Sequence, residues 1–424
     1  MHASSRKGFG PSLGAAAAAV ALLTGSQVLA AESGQGLTPE YWEFFGQVQL
    51  ELTGFAQDPV SSTQTRDDIS VAARPTLLAE WLGGDLAFKL TPFGRLDAAD
   101  DRRTHFDLRE AKLDYRSGDW SFTIGADFVF WGKTEAVHLV DIVNSDDRVE
   151  SLDLEDKLGQ PMLRATRYTE YGAFSAFYLP YFREPTFAGE DGRLRGRLPV
   201  DTGSPIYAVD GDEWAPSFAL RWAHVIGDVD FGVSGFYGTS RDAAFRPANF
   251  NALGQPTVLR PVYDDIWQIG LDGQYTSGPA LWKLEAIGRL DQLDRTGQPN
   301  DYVAVTGGIE YTLFGVAETN ADLGLILEGA WDSRGEDALT PFEEDAIYGV
   351  RLALNDEADT SILLFGVTDV VSGGTSVRLE AERRLFGSWK LEVEGQAFLN
   401  TQESDLEYGL RRDSFARLTL SYFW

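Results

Sequence analysis

Phe415-Ala416-Arg417-Leu418-Thr419-Leu420-Ser421-Tyr422-Phe423-Trp424 is the stretch whose alternation decides the fold. Ala416, Leu418, Leu420, Tyr422 and Trp424 share one face of an extended segment, while Arg417, Thr419 and Ser421 share the other. A terminal strand with one apolar face and aromatics at its tip fits a boundary between lipid and water. It is the kind of strand with which a transmembrane β-barrel closes on itself.

Seventeen further segments upstream alternate in the same way, giving eighteen in all. They are read at 45–55, 69–80, 84–97, 104–116, 119–128, 161–169, 172–182, 214–226, 228–239, 265–277, 280–291, 302–314, 321–333, 344–355, 359–371, 374–385, 388–401 and 413–424. Every second connection is short: Gly83-Gly84, Ser117-Gly118-Asp119, Glu170-Tyr171, Gly227-Asp228, Ser277-Gly278-Pro279 and Phe386-Gly387-Ser388 are examples. The intervening stretches 56–68, 129–160, 183–213, 240–264 and 334–343 are longer and more polar. Short turns on one side and long loops on the other describe an all-β, closed antiparallel barrel of eighteen strands, with sixteen as the alternative count. A soluble sandwich shares the pattern strand by strand, but not its repetition over the whole chain.

The opposite end reads as an export signal. Arg6 and Lys7 precede a short apolar run, Ala15 to Leu23, and Val28-Leu29-Ala30 supplies small residues for cleavage. That run is too short to cross about 30 Å of hydrocarbon as a helix. The expected organisation is a cleaved signal over 1–30, a short periplasmic segment over 31–44 and a barrel over 45–424. The formal charge is -29 and there is no Cys. Disulfides and thiolate metal sites are therefore excluded, and an acidic chain is a poor partner for nucleic acid.

Charges recur in mid-strand opposite the apolar faces, and such charges are costly against lipid. Arg164, Arg167, Lys283, Glu285, Arg289, Glu328, Arg351, Arg378, Glu380, Glu382, Lys390, Glu392, Glu394 and Arg417 are therefore assigned to a lumen. They would either pair laterally to stiffen the wall or set up a field that steers solutes. The loop 129–160 opens with Trp131 to Asn144, a stretch too apolar to sit free in water. Folded inward, it would present Lys133, Glu135, His138 and Asp141 as a constriction; otherwise it caps the barrel or contacts a neighbour. In the next long loop Arg193, Arg195 and Arg197 alternate, and either bind an anion or lipopolysaccharide phosphate or neutralise Glu190, Asp191, Asp201 and Asp210.

Catalysis finds little support. After the signal only His105, His138 and His224 remain, without an evident Ser and acid constellation, and the acidic pairs lack the spacing of an EF-hand loop. No cofactor is implied.

The signal, the alternating strands, the long loops and the terminal Leu418 to Trp424 resemble the outer-membrane porin and channel class of Gram-negative bacteria. Within that class, Ile124-Gly125-Ala126-Asp127-Phe128-Val129-Phe130-Trp131-Gly132-Lys133 resembles the strand-to-loop segment of alginate-export-like barrels. The resemblance implies a passive conduit in the outer membrane, in contact with lipid and lipopolysaccharide. It also implies insertion by the barrel assembly machinery through the last strand, and a homo-oligomer or a monomer. Some export-like barrels pass acidic polysaccharide through an arginine-rich lumen. Here Glu285, Glu328, Glu380, Glu382, Glu392 and Glu394 would dilute the field of the arginines. The expected function is a passive channel for small polar, charged or organic solutes. The alternatives are a structural barrel around a protein partner and an exporter of acidic polysaccharide.

Overall fold

The computed structural model describes residues 38–424, so the signal expected over 1–30 lies outside the described residues. Twenty-one strands follow in chain order. The first seven are β1 (Tyr41–Phe55), β2 (Asp67–Trp81), β3 (Leu86–Asp97), β4 (His105–Ser117), β5 (Trp120–Asp127), β6 (Gln160–Thr169) and β7 (Gly172–Leu179). The next seven are β8 (Ile206–Tyr207), β9 (Ser217–Ile226), β10 (Val229–Thr239), β11 (Ala244–Phe250), β12 (Pro256–Tyr263), β13 (Asp265–Ser277) and β14 (Ala280–Leu290). The last seven are β15 (Tyr302–Leu313), β16 (Asp322–Asp332), β17 (Glu344–Ala353), β18 (Ser361–Asp369), β19 (Thr375–Phe386), β20 (Trp389–Leu399) and β21 (Phe415–Phe423).

Eighteen of them form one antiparallel ring, each paired with its neighbours in sequence, with β7 passing directly to β9 and β10 to β13. The ring closes where β1 meets β21, with Leu50 opposite Leu420 and Leu52 opposite Leu418. A closed ring leaves no unpaired edge, which is why strands can cross hydrocarbon at all. Trp424 seals the seam: it exchanges backbone hydrogen bonds with Gly46, and its ring lies so close that a Cβ on Gly46 would be 2.8 Å from it. All eighteen expected strands are present. The first starts at Tyr41, four residues before the expected boundary, because Tyr41 to Phe44 continue the ladder against Leu77 to Glu80.

The two faces of the wall separate as the alternation requires. On β13, Trp267 is 55% exposed on the outside while Asp272 is 0% exposed inside. Outward aromatics gather in two bands. Phe174 stacked on Trp222, and Trp389 beside Tyr422, mark the short-turn end; Tyr178 beside Phe218, and Tyr237 beside Trp267, mark the long-loop end. Such bands sit where a membrane meets water. This is a transmembrane β-barrel of the outer-membrane kind.

The three remaining strands were not anticipated. β11 pairs antiparallel with β12, and β12 runs parallel to β8, making a small sheet within the long loops. Phe182, Ala243 and Tyr263 form its core.

Candidate functional site

The connection from β5 to β6, residues 128–159, lies inside the barrel. Its apolar stretch explains why. Val140, Ile142 and Val143 are buried against Phe177, Phe236, Ile266 and Ile287 of the inner wall, and Val137 against Ala330 and Ile347. Trp131 meets the edge of Phe177 and lies under the Arg221 guanidinium. The lumen thus contains an apolar patch, and the loop covers it.

Two wall carboxylates fix the loop by its backbone. Glu285 on β14 is fully buried and accepts from the amides of Lys133 (2.6 Å), Thr134 (3.0 Å) and Val140 (3.3 Å), and from the Thr134 hydroxyl (2.8 Å). Glu328 on β16 accepts from the Glu135 amide at 2.9 and 3.1 Å. Charge-assisted bonds of this kind are roughly twice as strong as neutral ones. Around this clamp Lys133 reaches Asp230 (2.7 Å), while Glu135 is held by Arg351 (2.6 Å) and lies 3.4 Å from Lys283.

Asp141 takes a different role from the one its sequence position suggests. It accepts from the amides of Trp131 and Gly132, bracing the loop from within rather than facing an open passage. Burial pushes its carboxyl above the usual range. Gly132 leaves room for its neighbour, since a Cβ there would stand 2.5 Å from His138 Nδ1.

His138 packs edge-on against Phe130 and lies 3.9 Å from Glu285. Burial alone would depress its pKa, but the Glu285 carboxylate and then Asp141 outweigh burial, and the pKa is raised. A histidine with a raised folded pKa stabilises fully below its unfolded value of about 6.5, and that contribution is lost as pH rises through the folded value. Protection of the amides of residues 133–140, taken relative to their base-catalysed intrinsic exchange at each pH, should therefore be greatest on the acid side of neutrality and fall above it. His138→Gln should flatten that step, and an equal step in the variant would acquit His138.

The returning limb is held by ion pairs: Asp147 to Arg109 (2.5 Å), Glu150 to Arg95 (2.7 Å), Asp153 to Arg378 (2.6 Å) and Lys157 to Asp146 (2.6 Å). Burial would raise Asp147, yet His105, Arg109 and Thr186 together hold it at about 2. His105 Nδ1 lies 3.0 Å from the Arg103 carbonyl, so Nδ1 carries a proton and donates, and Nε2 faces Asp147 (3.7 Å) and Glu150 (3.6 Å). These three residues have the composition of a metal site. Arg95 and Arg109 already neutralise both carboxylates, so the cluster fits an ion-pair lock rather than a metal centre.

Most of the other expected lumen charges are paired, along a strand, with a neighbouring strand or with a loop. Arg164 meets Asp127 (3.2 Å), Arg289 meets Asp242 (2.7 Å), and Arg378 meets Glu380 (2.6 Å) and Glu394 (3.4 Å). Lys390 meets Glu382 (2.5 Å) and Glu392 (3.1 Å), and Arg417 meets Glu394 (3.0 Å). Arg167 is a correction. It stands three residues from the inward Arg164, hence on the opposite face, and lies outside over the Trp120 ring at 5.5 Å. Arg193 is a second correction. It is buried, paired with Asp413 at 2.7 Å and bonded to the carbonyls of Gln57, Thr65 and Arg412, which leaves it unavailable to an anion. Arg195 is spent largely on backbone carbonyls, and Arg197 lies exposed over Tyr408.

Between the loop and the β2–β4 wall lies a cavity of about 710 Å³. Arg74, Lys89, Arg109, Lys133, Lys157 and Lys283 line it with Glu110, Glu135, Glu155 and Asp156. Phe128 and Phe130, 46% and 50% exposed, open onto it. Lys89 pairs with Glu110 (2.6 Å), and the other lysines and Arg109 are paired as above. Among the described residues Arg74 alone of the six cations has no carboxylate within ion-pair reach. The sequence reading missed Arg74, Lys89 and Arg109; their inward parity on β2, β3 and β4 was the available signal.

No protein-family model matches this sequence, and no curated protein matches it. Among solved structures, OmpT in trimer form, an outer membrane protein of Vibrio cholerae, aligns at 12% identity and a TM-score of 0.42, covering 90% of this chain and 99% of that one. A mutant of the Rh. blastica porin aligns at 12% identity and 0.43, covering 90% and 100%. OprB of Pseudomonas putida aligns at 12% identity and 0.44, covering 90% and 94%. Similarity at this level assigns neither solute nor mechanism. This chain's own geometry establishes a closed eighteen-stranded transmembrane barrel with a loop anchored in its lumen.

Proposed function

We propose that the protein is a passive channel of the Gram-negative outer membrane for small polar, charged or organic solutes, and that residues 128–159 form its narrowest part. The observation that carries this reading is the lumenal cavity with charge of both signs on opposite sides. Arg74 projects unpaired from the wall, and Glu155 and Asp156 project from the loop. Burial, then Asp153, pushes Asp156 up to about 6, and burial raises Glu155 as well. Such a transverse arrangement orders water and orients dipolar solutes. The exposed rings of Phe128 and Phe130 offer a surface to the apolar part of an organic solute. The reading requires no covalent step.

The two alternatives fit less well. Arg164, Arg289, Arg351, Arg378 and Arg417 are each paired with carboxylates, so they offer no free arginine track to a polyanion. A sleeve around a protein partner needs room that the chain's own loop occupies.

Single-channel recording in a planar bilayer tests the proposal. Reproducible open steps are expected, and Arg74→Gln should move the reversal potential in asymmetric salt toward cation preference. An unchanged potential would remove Arg74 from the conducting path. A folded, inserted and silent barrel would favour the sleeve.

A further inference from the structure

Arg74 stands where the barrel wall is irregular. The β2–β3 ladder runs to Ala73 opposite Gly94, lapses, and resumes at Leu77 opposite Leu90. In the gap the register puts Pro75 opposite Pro92, two residues with no amide to donate, and the β3–β4 ladder slips between Thr91 and Pro92. Proline within a sheet is otherwise confined to edges and bulges, and bulges gather beside functional sites, where they re-aim side chains. Arg74, Thr76 and Thr91, the inward residues of this lapse, all line the cavity of about 710 Å³ between loop and wall.

The polar neighbours of Arg74 are already engaged with one another. The hydroxyls of Thr76 and Thr91 meet at 3.2 Å, Thr91 donates to Glu110 at 3.4 Å, and Glu110 holds Lys89 at 2.6 Å. Arg74 is exposed to the cavity, and its planar fork presents parallel N–H groups in the geometry that a carboxylate accepts. One free guanidinium balances one negative charge, and Glu155 and Asp156 across the cavity would repel a second. Phe128 and Phe130 open their rings onto the same space, and the Phe130 ring is fixed edge-on with His138 before any solute arrives. An aromatic body packs on such rings better than a chain of equal polarity does.

We propose that this cavity is a binding site for an aromatic monocarboxylate, its carboxylate on Arg74 and its ring against Phe128 and Phe130, and that such acids are the solutes the lumen selects. The selection rests on the channel reading above; the binding does not need it.

The probe is para-fluorophenylacetate, titrated against the whole protein in detergent and followed by fluorine NMR, with protein-free micelles as the blank. Para-fluorophenylacetamide keeps the ring without the charge, and difluoroacetate keeps the charge without the ring. Saturable binding of the aromatic acid is expected, with each comparator about tenfold weaker. Arg74→Gln should also weaken the acid about tenfold, and Arg74→Lys, which keeps the charge but not the fork, should fall between. Replacing Phe128 and Phe130 together by Ala should bring the aromatic acid down to the level of difluoroacetate. Arg197→Gln removes the same charge from an exposed loop and should bind as the parent does. Equal affinity for the acid and either comparator, or an Arg74→Gln protein that binds as the parent does, overturns the site. In planar bilayers the same acid should interrupt the open steps at the concentrations that half-fill the site. A channel that opens but neither binds the acid nor is interrupted by it overturns this inference and leaves the channel reading standing. Saturable, Arg74-dependent binding to a barrel that never opens upholds the site and overturns the channel.

Discussion

Glu285→Ala should release the lumenal loop and raise single-channel conductance severalfold. The substitution removes the acceptor of three backbone amides and a hydroxyl at once. Each buried donor left without a partner costs about 1–3 kcal/mol. Lumenal water recovers part of that, so the anchoring lost is about 3 kcal/mol. The barrel wall should persist, because β14 keeps both of its ladders. Current noise should grow as the loop moves, and amides 133–140 should exchange faster. Glu285→Gln retains an oxygen acceptor without its charge and should fall between. If conductance and exchange both match the parent, the carboxylate is not the clamp.

Arg193→Ala should carry the largest cost to stability outside the lumen. The guanidinium joins three loops: it bonds carbonyls of the 56–66 connection, stands on the 180–216 connection and pairs with Asp413 of the 400–414 connection. Its removal strands Asp413, which is 4% exposed. Breaking one side of a buried pair typically costs about 3–5 kcal/mol. Limited proteolysis should then cut the long loops first, leaving the strands protected. Adding Asp413→Ala should restore much of the lost stability, since the stranded charge goes with it. A proteolytic pattern identical to the parent's would show that the three loops are tied elsewhere.

The barrel was legible because its information is local. Period-two alternation and a turn every dozen residues or so specify each strand from its own residues, and pairing with the next strand follows from the short turn between them. The small loop sheet escaped notice for the opposite reason. β8 is two residues long, and β11 and β12 contain Pro247, Pro256 and Pro261, so neither length nor alternation marks them. The loop's apolar stretch announced that it would be buried, but not where. Glu285 meets residues about 150 positions away, and no local pattern encodes such a meeting. Arg167 was a parity error, avoidable from the sequence itself. Arg193 was not avoidable: a row of arginines at spacing two looks alike whether it meets water or carbonyls.

The way the loop is clamped has a consequence for redesign. Position is set by main-chain amides at 133–135, a feature common to every residue but proline, while the side chains of Lys133 and Glu135 are turned toward Asp230, Lys283 and Arg351. Anchoring is thereby left to the main chain, and the side chains of the same residues are free for other contacts. On the proposed channel reading, Lys133 and Glu135 should accept changes of sign or size without moving the backbone that carries them, so that this short segment would serve as a replaceable filter in a fixed mount.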